Sequence, residues 1–175
     1  IPELSYRVIN YWENNGLIDV SRGEDGTGWR KYSMMDAIWL NLIVELRKFG
    51  CSIENIQIIK KQISEDNERH KPSDYPNLEF YTSLVLNFKE NVYVLIFNDY
   101  QILIGTQNEI EFAKSVGSIG NYISISLNDL ISTVLQQPFL KSKSDQKISL
   151  NEEEMELLYS IRNKSYREIT IQLKN

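Results

Sequence analysis

Three cations, Arg22, Arg30 and Lys31, sit in or beside the glycine-rich stretch "SRGEDGTGWRKY" (21–32). Catalysis, phosphate cradling and nucleic-acid docking make different demands on such residues. A phosphate cradle needs a strand before the glycines and a Gly-Lys-Ser/Thr ending. Neither "GEDGTG" nor "GSIG" (117–120) has both, so each reads as a turn. His70, the single histidine, lies in a polar stretch with no fixed neighbour, which leaves a catalytic triad without its base. Cys51 is the single cysteine, so neither a disulfide framework nor a cysteine metal cluster can form within one chain. The acids of "NEEEME" (151–156) suit a helix N-terminus better than a metal site. No cofactor, metal or catalytic residue is expected. Cys51, just before a helix start, is either a thiol of lowered pKa or a small buried residue. What remains for the cations is docking onto phosphate.

The elements around the loop fit that use. Ser5 is placed to cap a helix running to about Asn15, with Gly16 as its stop. "LIDV" (17–20) and "GWRKY" (28–32) read as two short strands, with glycines supplying the hairpin tip between them. Ser33 and Asp36 have capping-box spacing and open a helix to about Lys48. Its Ile38, Trp39, Leu42, Ile43 and Leu46 share one face. Gly50 ends it, and Ser52 caps a third helix whose Ile53, Ile56, Ile59 and Ile63 repeat at helical spacing. A helix, a two-stranded basic wing and two helices give a winged helix-turn-helix. One helix can enter the major groove while the wing reaches the flanking backbone.

A polar linker follows, and then a helix over about 78–88. "VYVLIF" (92–97) and "ILIG" (102–105) read as a hairpin turning at "NDYQ", followed by a helix over about 108–114. "YISISL" (122–127) alternates as a strand does, and Asn128 is placed to cap a helix to about Gln137. The tail reads as a helix and a strand. The expected class is α+β, with domains at 1–64 (winged helix-turn-helix), 75–140 (small α/β accessory or dimerisation domain) and 148–175 (tail). Lys and Arg balance Asp and Glu at 8 against 8 over residues 1–61, but stand at 4 against 10 over 62–140. The chain's acidity thus belongs to the middle, away from the proposed duplex. No apolar run is long enough to span a bilayer, and the cysteine usage suits a cytoplasmic setting.

The first third also resembles the DNA-binding domain of MerR-type transcriptional regulators. The matching residues are Ser5, Arg7, Ile9, Tyr11, Trp12, Glu13, Gly16, Leu17, Arg22, Gly28, Arg30, Tyr32, Asp36, Leu46, Arg47, Gly50 and Ser52. The resemblance implies a bacterial regulator that binds double-stranded DNA as a homodimer, with Ser5–Asn15 as recognition helix. The candidate contacts are Ser5, Arg7, Asn10 and Tyr11 on that helix, and Arg22, Arg30, Lys31 and Tyr32 in the wing region. Asn10 stands where the family usually has arginine, and its amide is suited to adenine. The family's first helix would precede Ile1. Against the contact role, Tyr11 is also expected in the core with Trp12, Leu17 and Trp39, because large aromatics carry small cores. The metal-sensing, redox and drug-sensing branches of the family use cysteines or a large effector domain that this chain does not match. A small-molecule effector is left open. The alternatives are an excisionase-like architectural protein and a protein–protein adaptor.

Overall fold

A computed structural model describes residues 4–19, 32–64 and 75–136. It begins with α1 (Tyr6–Asn14), capped by the Ser5 hydroxyl, which accepts from the Val8 amide. Gly16, at φ +67°, closes the helix. Its amide donates to the Glu13 carbonyl and that of Leu17 to the Trp12 carbonyl, both at 2.9 Å. This paired closure needs a left-handed residue, which glycine adopts without strain. The expected strand from Leu17 does not form over its described residues, Leu17 to Asp19. The Leu17 amide is spent on α1, and its carbonyl accepts from the Trp39 indole at 2.7 Å. Neither is left for a ladder. The rest of the expected wing, including Arg22, Arg30 and Lys31, lies outside the described residues.

The capping box forms as expected. Ser33 and Asp36 exchange bonds of 2.7 and 3.0 Å, and α2 (Met34–Lys48) follows. Ile38, Trp39, Leu42, Ile43 and Leu46 are all buried, the apolar face expected of them. The Asn55 amide donates to the Ser52 hydroxyl at 3.2 Å, opening α3 (Ile53–Ser64). Four of its five isoleucines, Ile53, Ile56, Ile59 and Ile63, are buried as expected, and Ile58 is exposed.

The next segment builds α4 (Pro76–Phe88), β1 (Val92–Phe97), β2 (Ile102–Thr106), α5 (Gln107–Ser115), β3 (Tyr122–Ser126) and α6 (Leu127–Leu135). The antiparallel sheet has order β2-β1-β3, with Val92 opposite Thr106 and Tyr93 opposite Ser126. The architecture is α+β. Alternation along β1 sends Val92, Val94 and Ile96 to one face, and α4 and α6 pack on the strand. Further contacts join α2 to α6 and α3 to both α4 and β2. The Trp39 ring lies 5.9 Å from that of Tyr75.

One cap differs from its expected place. Ser126, not Asn128, caps α6, its hydroxyl accepting from the Asp129 amide at 3.2 Å. Asn128 is the second residue of the helix, within its first turn. Its amide group instead accepts from the Val92 amide at 2.9 Å and donates to the Glu90 carbonyl at 2.8 Å. A cap forms at whichever residue leaves extended geometry first, and the chain leaves β3 at Ser126.

Candidate nucleic-acid interface

Helix α1 divides cleanly into two faces. Trp12 is buried, with Val8 and Ile9 beside it half-buried. The opposite stripe holds Tyr6, Asn10 and Asn14 at four-residue steps, flanked by Arg7 and Tyr11. Tyr6, Arg7, Tyr11 and Asn14 are exposed and Asn10 is half-buried. Tyr11 is therefore not a core residue, contrary to the expectation from its size, and 54% of it is exposed. A signal for this was present in the sequence. Tyr11 lies one turn after Arg7, whereas Trp12 lies one turn after Val8, so only Trp12 shares the apolar side. Trp12, Leu17 and Trp39 do occupy the core.

The exposed stripe combines a guanidinium, two carboxamides and two phenols, with no carboxylate among them. Arginine pairs with guanine or phosphate, asparagine with adenine, and tyrosine hydroxyls with phosphate. Ser5 acts as the helix cap, and its hydroxyl sits at the helix N-terminus. That end carries partial positive charge and suits a phosphate oxygen. Tyr32 is exposed just before α2. The structure thus places Arg7, Asn10 and Tyr11 on one side of α1, with Ser5 at its N-terminal cap. Arg22, Arg30 and Lys31 lie outside the described residues.

Residues 2–63 match the model of a family described as MerR HTH family regulatory protein. The N-terminal segment is of MerR type. The match spans roughly a third of the chain and supports a transcriptional regulator. No curated protein and no solved structure matches the chain significantly.

Side chains with no expected role hold the MerR-type helix α1 in place. From α3, Gln57 donates to the Asn15 carbonyl at 2.6 Å, and the Lys60 ammonium donates to the Gly16 carbonyl at 2.9 Å. Lys60 also meets the Asp19 carboxylate at 2.6 Å. These contacts join residues about forty positions apart, beyond the reach of any local spacing rule. Arg47, one of the residues carrying the family resemblance, donates to the Cys51 carbonyl and secures the α2–α3 turn. Burial raises the Cys51 thiol pKa, with the nearby Arg47 charge opposing it less strongly. Of the two readings for this cysteine, the small buried residue is correct. Among the described residues, no group of His, Cys, Asp and Glu could hold a metal ion, and no helix is long and apolar enough to cross a membrane.

Proposed function

We propose that this protein is a sequence-specific regulator of transcription that reads double-stranded DNA with α1 and binds as a homodimer. The observation that carries the reading is the stripe of exposed Tyr6, Arg7, Tyr11 and Asn14 around half-buried Asn10, on a MerR-type helix whose other face is anchored by Trp12. Asn10 and Arg7 are assigned to base edges or phosphate, and Tyr11 and Ser5 to the backbone. Arg22, Arg30, Lys31 and Tyr32 are assigned to flanking phosphates, on the family pattern. The acidic balance over residues 62–140, 4 cations against 10 acids, keeps that part of the chain off the duplex.

Selection by the full chain from a randomised duplex pool tests the reading. The wild type is expected to enrich one motif. Asn10→Ala should relax preference at a single base pair, at a cost of about 1–3 kcal/mol. Arg7→Ala should weaken binding to the enriched duplex by a similar amount. No enriched motif, with no measurable affinity for any duplex, would favour the adaptor reading instead.

The dimer contact is proposed within residues 75–140. Leu86 and Leu135 are exposed there, beside a groove of about 390 Å³ between α4 and α6 that Val85 and Ile131 also line. A second copy is the proposed occupant, because pairing sets the spacing of half-sites. Leu86→Glu combined with Leu135→Glu should convert the dimer to monomer by light scattering. A double variant that still runs as a dimer would place the contact elsewhere.

A further inference from the structure

We propose that Lys60, assisted by Gln57, is a positioning residue for DNA recognition, fixing the C-terminal end of α1 without touching the duplex. The proposal rests on the DNA reading of α1 given above. A nine-residue helix is too short to be stable alone, so its direction is set by what holds it. Trp12 is its one buried residue. At its C-terminal end, the Trp12 and Glu13 carbonyls are taken by the Gly16 closure, and the Tyr11 carbonyl by the Asn15 side chain at 2.7 Å. The Asn15 and Gly16 carbonyls go to Gln57 and Lys60. A cation here also complements the negative end of the helix dipole.

The Lys60 side chain is turned inward. It is 15% exposed, against 71% for Asp19, its ion-pair partner. The opposite flank of α3 is tied down as well. Gln62 donates to the Tyr100 carbonyl at 2.9 Å and accepts from the Ile102 amide at 3.1 Å, both on the β1–β2 hairpin. Between the two flanks, Ile56, Ile59 and Ile63 are buried. Helix α3 is thus a strut, held by the hairpin on one side and holding the recognition helix on the other. Base readout tolerates only a fraction of an ångström of misplacement, so the strut controls how well the α1 stripe meets base edges.

The test uses the full chain with Lys60→Met, which keeps the aliphatic stem, and Lys60→Arg, which keeps the charge. The probes are the duplex enriched by the wild type and a scrambled duplex of equal length. Lys60→Met should weaken the enriched duplex about tenfold and the scrambled one less than about twofold, with the salt slope unchanged. Lys60→Arg should restore most of the loss. Without DNA, amide exchange in α1 should quicken in Lys60→Met. Asp19→Asn, a change at an exposed site, should show a smaller loss of the same kind and serves if Lys60→Met does not fold. Equal weakening of both duplexes, with a slope flattened by about one unit, would put Lys60 on a phosphate and overturn the proposal. Unchanged discrimination by Lys60→Met, or by Asp19→Asn where it stands in, would overturn it too. A wild type that enriches no motif overturns the DNA reading itself, an outcome distinct from a selective wild type matched by an equally selective variant.

Discussion

Trp39→Ala will destabilise the fold by about 3–5 kcal/mol in urea denaturation, the range for truncating a large buried aromatic. The ring is fully buried, and it is the hub of three segments. It belongs to α2, its indole N–H donates to the Leu17 carbonyl after α1, and its ring contacts Tyr75 before α4. Its removal opens a cavity and orphans a carbonyl at once. Domains are stable by only about 5–15 kcal/mol, so this one change removes a large share. Trp39→Phe separates the two contributions. It keeps most of the apolar ring but leaves the Leu17 carbonyl without its donor, a loss of about 1–3 kcal/mol. A Trp39→Ala variant within about 1 kcal/mol of wild type would mean that the three segments do not depend on this contact.

Asn128→Leu has the next largest expected effect. The carboxamide serves two backbone groups of the chain entering β1, the Val92 amide and the Glu90 carbonyl. Leucine has similar volume but no polar atoms, so both groups lose their partner at a part-buried site. An orphaned buried group costs about 1–3 kcal/mol, and part-exposure to water places each of these at the lower end. The combined loss should be about 2–3 kcal/mol, read as a lowered denaturation midpoint with unchanged slope. Asn128→Asp tests the asymmetry. A carboxylate can still accept from Val92 but cannot donate to Glu90, so it should recover part of the loss. Equal stability of all three proteins would show that water replaces the carboxamide at no cost.

Most local rules held where both partners lie within about one helical turn. The Ser33–Asp36 box, the Ser5 and Ser52 caps and the closures at Gly16 and Gly50 all form at their expected positions. Periodicity likewise placed the isoleucines of α3 and the buried face of α2. The β1–β2 hairpin turns at residues 98–101, as the break between two apolar runs required. Errors arose where two local readings were both open. Asn128 and Ser126 can each cap a helix, and the choice depended on where β3 ended. Tyr11 and Trp12 are adjacent large aromatics, and bulk alone does not say which one turns inward.

The amino-acid sequence by itself determined the helices, all but one of the expected caps, the hairpin and the MerR-type character of the first third, because those depend on neighbours a few positions apart. It also set the composition of the α1 stripe. The tertiary structure alone decided what that stripe is fastened to. Gln57 and Lys60 face α1 and Gln62 faces the hairpin only because α3 is buried along Ile56, Ile59 and Ile63 between them. Trp39 meets Leu17 and Tyr75, and Asn128 meets Val92, across 22 to 36 positions of chain. Hydrogen bonds at that separation carry no spacing signature. Their geometry exists only after apolar burial has brought the segments together, so burial sets the partners and the polar groups then fix the register.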